Sequence, residues 1–257
     1  MVYLRSDACR LGVYAPVTIH PTILLGEEEP ERASLLLKAV VRLGLFLMVM
    51  AAILFLASGR TDWGRAWLLL GALFICLALN LAVLITTNPK LLEYRLELER
   101  GAREWDKVLS ALLVGLWVAA LFAAGLDERF HWSPPLSGAL HHAAVMLLVA
   151  GDLLLLWAMA VNRFFSKMVR IQRERGHRVV SGGPYRYVRH PGYVGWFLMS
   201  AAIPLILGSL WALVPVGLAV AGMVVRTALE DRMLRADLEG YEAYAERVRY
   251  RLLPGIW

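Results

Sequence analysis

Residues Gly183 to Gly195 read GPYRYVRHPGYVG: three tyrosines, two arginines, one histidine, two prolines and three glycines in thirteen positions. The stretch lies between two long apolar runs. Pro184 and Pro191 fix φ and remove two amide donors. Gly176, Gly182 and Gly183 stop a helix before it and permit tight turns. The backbone here is therefore expected to be irregular but rigid. At a membrane surface, backbone of that kind must be buried in protein or line a wet cavity.

The runs on either side set the fold. Hydrophobic residues make up 59% of the 257 and charged residues 19%, with mean hydropathy +0.57. Soluble domains are nearer half apolar and a quarter charged. A span needs about 20 mostly apolar residues. The candidates are 39–58, 66–86, 108–125, 139–161, 192–207 and 210–228. Only Gly208–Ser209 separates the last two, with Pro204 and Pro215 flanking the bend, which predicts a tight helical hairpin. The expected fold class is all-α: a polytopic membrane helical bundle of about six spans with a further cytosolic C-terminal helix.

Lysine and arginine alternate with the spans. Counting Arg42 with the N-terminal segment, every second segment carries 24 of the 27 basic residues. By the positive-inside rule both termini, and the segment holding GPYRYVRHPGYVG, face the cytoplasm. The net charge of +6 has the same origin. No basic helix or zinc-type spacing points to nucleic acid or metal. Residues 1–33 carry EEEPER and no apolar run of signal length. Cys9 and Cys76 are poorly matched for a disulfide. The expected location is a membrane, of the bacterial inner-membrane kind. The chain divides into a polar N-terminal segment (1–33), a four-span region (34–161) and a C-terminal region (162–257).

Residues 163–175 predict a short interfacial helix. Phe164, Phe165, Met168, Val169 and Ile171 form its apolar side, and five basic residues face anionic headgroups. Asp152 sits mid-span, where an ionisable residue is a functional candidate. Either His141 or His142 is its expected partner, and Asn80 is expected to bond across helices. Arg226 precedes Glu230 by one turn, which allows an i,i+4 pair.

The segment GHRVVSGGPYRYVRHPGYVG (176–195) resembles the signature of the isoprenylcysteine carboxyl methyltransferase family, which extends to phospholipid methyltransferases. The family pattern Gly-x-Tyr-x-x-x-Arg-His-Pro-x-Tyr-x-Gly is met by Gly183, Tyr185, Arg189, His190, Pro191, Tyr193 and Gly195. A two-helix hairpin and an acidic pair, here Glu230-Asp231, follow in the family's order. The tail EGYEAYAERVRYRLLPGIW (239–257) is similar to the family's ending. Asp231 departs from the family's second glutamate by a shorter reach. The resemblance covers 176–257; the earlier spans match in hydrophobicity alone.

The resemblance implies S-adenosylmethionine as methyl donor, bound near the cytosolic face without a Rossmann-type fold. It places His190, Tyr193 and Gly195 on the cofactor pocket, His177 and Tyr185 near it, and Glu230 as a polar contact. The donor's chemistry asks for a cation or donor at its carboxylate (Arg189 or His190), an acceptor for its ribose (Glu230) and a stacking face (Tyr185 or Tyr193). Tyrosine faces also favour a sulfonium. Arg189, Glu230 and Arg226 form the expected catalytic set. Asp152 and Asn162 are expected on the substrate side. The partners implied are a lipophilic or lipid acceptor and membrane lipids. Membrane sterol reductases end in a similar Arg-His-Pro-x-Tyr-x-Gly pattern, so an NADPH-dependent reductase is the alternative.

Overall fold

The computed structural model describes residues 29–88, 90–91 and 103–257. Expectations for Cys9 and for most of the polar N-terminal segment lie outside these residues. Among the described residues seven α-helices with defined bounds follow in order: α1 (Glu29–Ser58), α2 (Gly64–Thr87), α3 (Glu104–Phe130), α4 (Gly138–Val161), α5 (Pro191–Leu207), α6 (Leu213–Asp237) and α7 (Tyr241–Arg247). Short 3-10 turns occupy Arg173–Arg175 and Gly183–Arg186. Among the described residues there is no strand. Helices α1, α2, α3, α4 and α6 are long and apolar enough to cross a membrane, and α5 is a shorter apolar helix. The protein is an all-α integral membrane bundle. Leu37, Val41, Met48, Leu56, Ile75 and Met146 stand exposed on its flanks, as side chains do where lipid is the solvent.

The core lies where α1, α2, α3, α4 and α5 meet, around Leu54, Leu69, Leu148 and Ile206. The most extensive helix pairing joins α4 to α5. Its cause is two glycines set back to back. A Cβ on Gly151 would lie 2.7 Å from the carbonyl oxygen of Gly195, and one on Gly195 2.5 Å from that of Gly151. Close backbone approach between small residues is the usual solution for membrane helices, which gain nothing from hydrophobic exclusion of lipid.

The predicted hairpin of α5 and α6 is present. Gly208 adopts φ +81° and Ser209 N–H caps Pro204 O at 2.9 Å. Asp127 of α3 holds this bend: it accepts from Ser209 Oγ and Ser133 Oγ, both at 2.5 Å, and from Ser133 N–H at 2.7 Å. That knot fixes one end of the bundle, and most of the expected site residues gather at the other.

Residues 163–175 do not form the predicted helix. Side chains capture the backbone instead. Asn162 Oδ1 accepts from Phe164 N–H at 2.9 Å, Ser166 Oγ bonds both N–H and C=O of Met168, and Asp106 Oδ2 accepts from Val169 N–H at 2.7 Å. Local Asn and Ser bonding of this kind competes with helix formation. Phe164 and Val169 are buried in protein rather than laid on lipid.

Candidate functional site

The ends of α4, α5 and α6, the strap 163–180 and α7 enclose a cavity with about 780 Å³ of empty space, part of it open to solvent. Of the expected site residues, Asn162, His177, Tyr185, Arg189, His190, Tyr193 and Glu230 all line it. Fifteen residues of sequence or more separate several of them, and the fold brings them to one wall.

Glu230 is the acceptor of this wall. Tyr193 O–H donates to its Oε2, and Arg226 Nη1 donates to Tyr193 Oη at 3.1 Å. No protein donor among the described residues reaches Glu230 Oε1. The carboxylate is thus held by one oxygen and offers the other to the cavity. Tyr193 is kept parallel to the His190 ring, 5.5 Å between centroids and 4° between planes.

Asp231, one residue on, is fully buried and does not line the cavity. Arg189 grips it through both oxygens, Nε to Oδ1 at 2.7 Å and Nη2 to Oδ2 at 3.0 Å. Arg251 Nε reaches Oδ2 at 2.9 Å and Tyr241 O–H reaches Oδ1 at 3.0 Å. Arg189 Nη1 also donates to the carbonyls of Val248 and Arg249, at 2.7 and 2.8 Å. Backbone bonds from Arg189 to Tyr250 and from His190 to Arg251 complete the attachment of the tail. Asp231 and Arg189 therefore clamp the C-terminal tail to the start of α5. With four N–H bonds already made, Arg189 is poorly placed to hold a ligand carboxylate as expected.

Three further expectations are corrected by position. Gly195 does not line the cavity; it is the contact surface for α4. Arg226 stands behind Tyr193, not on the cavity, and pairs with Asp106 rather than Glu230, Nε to Oδ1 at 2.7 Å and Nη2 to Oδ2 at 3.1 Å. Asp152 is buried between spans, where Asn80 Nδ2 donates to it at 2.8 Å. Its helix rises about 15 Å from there to Asn162, so it reaches neither the cavity nor the expected histidines; His142 bonds its own helix at Gly138 O.

The remaining wall is aromatic and rim-charged. Asn162 Nδ2 donates to Tyr185 Oη at 3.1 Å, and Tyr244 O–H donates to Tyr185 O at 2.8 Å. Burial pushes the Tyr185, Tyr241 and Tyr244 hydroxyls up, so they stay neutral. Phe165 leans over Gly192, where a Cβ would lie 2.6 Å from its ring. His177 packs on Phe164 and accepts from Gln172 N–H at 3.3 Å. Burial first, then the nearby Arg175, lowers its pKa to about 4. Arg178 lines the cavity, exposed and without an ion-pair partner among the described residues. Sequence reasoning missed Arg178, Phe165 and Tyr244 as cavity residues, and Asp106 behind it. Arg178 had a signal, since it lies within the quoted motif; Asp106 reads only as an acidic residue in the first turn of a helix.

The model of the isoprenylcysteine carboxyl methyltransferase family matches residues 144–236, which cover most of α4, the strap, α5 and nearly all of α6. That stretch is similar to the family. A protein-S-isoprenylcysteine O-methyltransferase of Schizosaccharomyces pombe is 42% identical over 45 residues, 18% of this chain and 19% of that protein. The Tribolium castaneum protein of the same name is 30% identical over 95 residues, 37% of this chain and 31% of its own. The matched part thus spans under a third of either relative. The solved eukaryotic intramembrane Ras methyltransferase ICMT superposes with TM-score 0.53 at 19% identity, over 85% of this chain and 77% of that one. That likeness is one of fold. Within the matched residues, α5 and α6 supply the Tyr193–Glu230 pair and Asp231 of the clamp.

Proposed function

We propose that this protein is an integral-membrane S-adenosylmethionine-dependent methyltransferase acting on a lipophilic acceptor: an isoprenylcysteine-like carboxylate, a thiol, an amine or a phospholipid headgroup. The observation that carries the proposal is Glu230, fixed by Tyr193 with one oxygen turned to a cavity walled by tyrosines, His190 and Arg178. A carboxylate accepts from a ribose diol, whereas it repels the 2′-phosphate of NADPH, which is ordinarily met by arginine. This favours the methyl donor over the reductase alternative. The similarity of residues 144–236 to the isoprenylcysteine carboxyl methyltransferase family supports the same class.

The residues present fit such a donor. Glu230 would hold the ribose, Tyr185, Phe165 and Tyr193 would flank the rings and the sulfonium, and Arg178 would meet the amino-acid carboxylate in place of Arg189. Bound there, the cofactor supplies an activated methyl group. The contribution of this chain is positioning: the strap, the clamp and α7 hold the cavity walls rigid and limit water, which is where most of the acceleration of a two-ligand displacement originates. Residues 162–257 form the cofactor-binding region in this proposal and 34–161 the four-span membrane region that shapes the acceptor's approach. Asn162, at the junction, remains a candidate contact for the acceptor.

The arginine and lysine distribution supports an orientation with both termini and the cavity on the cytoplasmic side. The relatives named above are eukaryotic and give a bacterial inner membrane no support. One experiment tests activity and orientation together. Labelled S-adenosylmethionine, which is charged and does not cross a bilayer, is added outside sealed vesicles carrying the protein. Label is expected in the extracted lipophilic fraction only when the vesicles expose the cytoplasmic face. Transfer from the opposite face would reverse the topology, and no transfer in either orientation, with a range of lipid and prenylated thiol acceptors supplied, would count against the activity.

A further inference from the structure

Asp106 opens α3, 120 residues before its partner, and its side chain is fully buried. Both its oxygens are used on the same arginine, and one of them also accepts from Val169 N–H in the strap. Arg226 adds a bond from Nη2 to Lys167 O at 2.7 Å. The pair therefore ties α3, α6 and the strap together directly behind the cavity wall. What makes the pair more than a tie is the place of Arg226 on α6. It lies one turn before Glu230, close enough for a direct i,i+4 ion pair. It does not make that pair. Its fork is turned to Asp106, and its remaining reach ends on Tyr193 Oη.

From this arrangement we infer that Asp106 is a positioning residue for the site: by engaging Arg226 it keeps that cation off Glu230 and leaves the glutamate's second oxygen free for a ligand. The same engagement turns Arg226 into a donor to Tyr193, so that the tyrosine's own proton points to Glu230. Without the Asp106 charge, Arg226 is a buried cation lacking its counter-ion, and the nearest carboxylate on its own helix face is Glu230. An uncompensated buried charge is strongly unfavourable, so the arginine would turn there and occupy the acceptor. The inference rests on the proposal that Glu230 faces a ligand, but its test can be read without one.

The test uses the full chain in detergent and a water-soluble carbodiimide with an amine nucleophile, with modification of Glu230 quantified by mass spectrometry. Carbodiimides attack the protonated carboxyl, so a glutamate held by a cation reacts slowly. Asp106→Asn is expected to slow labelling of Glu230 at least threefold. Asp106→Asn combined with Arg226→Gln, which leaves no unpaired buried charge, is expected to recover at least half of the lost rate. A tie between helices alone gives no such recovery, because the double variant has lost the tie as well. Thermal unfolding is followed for each protein. If Asp106→Asn does not fold, Asp106→Glu, which keeps the charge but displaces it, is expected to show the same slowing to a smaller degree. Equal labelling in wild type and the folded single variant overturns the inference, as does a double variant as slow as the single. S-adenosylmethionine affinity is measured in parallel and should follow the same order. If labelling follows that order while the wild type binds no S-adenosylmethionine, the role of Asp106 stands and the methyltransferase proposal falls.

Discussion

Glu230 and Asp231 are neighbours of one charge with opposite tasks, and each makes its own prediction. Glu230 has one oxygen facing the cavity; Asp231 is surrounded by two arginines of the clamp and the Tyr241 hydroxyl. Glu230→Gln should weaken S-adenosylmethionine binding by roughly 10–100-fold, the worth of a hydrogen bond to a charged acceptor, with the unfolding midpoint unchanged. Asp231→Ala should cost about 3–5 kcal/mol of stability, as expected when one partner of a buried charge network is removed, measured by denaturation in detergent. The acidic pair was legible in the sequence as a pair. The division of labour was not, because it depends on a tail twenty residues away folding back onto Asp231. Asp106 was illegible for a related reason: a carboxylate in the first turn of a helix is commonly a dipole partner in water, and nothing in its neighbourhood names an arginine on α6. His177 adds a pH prediction. Its folded pKa near 4 lies below the unfolded value of 6.5, so the group favours the folded state above pH 6.5 and that contribution is lost as pH falls toward 4. His177→Asn, which keeps an acceptor for Gln172 N–H but does not titrate, should flatten the loss of thermal stability between those pH values. An unchanged acid profile would contradict the burial assigned to His177.

At the level of elements, hydropathy located the spans well because twenty apolar residues in a row have few other solutions. The hairpin followed from two residues between two apolar runs. The strap did not follow. Its apolar positions suggested a helix on lipid, but Asn162, Ser166 and the distant Asp106 take the backbone bonds that a helix would have used, and the phenylalanines fill the cavity wall. Gly195 belongs to the family pattern as an expected pocket residue, yet its glycine character is required by α4. Gly195→Ala would set a Cβ 2.5 Å from the Gly151 carbonyl, and backbone cannot give way as a side chain can. A loss of about 1–3 kcal/mol of stability is expected from such overpacking, seen as a lowered unfolding midpoint. Full stability in this variant would mean that α4 and α5 are not packed back to back.

Across the whole molecule, the two ends of the bundle are built for different purposes. The Asp127 knot closes one end around the hairpin bend, and the clamp, strap and α7 gather the opening stretch into a cavity at the other. GPYRYVRHPGYVG contributes to both kinds of structure: Tyr185, His190 and Tyr193 face the cavity, while Arg189 and Gly195 hold the cavity's frame. The central claim is that this cavity is made for a free ribose diol and a sulfonium, and calorimetry on the purified full chain tests it most directly. S-adenosylmethionine, or its demethylated product, should bind more tightly than NADPH, and Glu230→Gln should remove most of that preference. Binding of NADPH with no detectable binding of S-adenosylmethionine or its product would contradict the account.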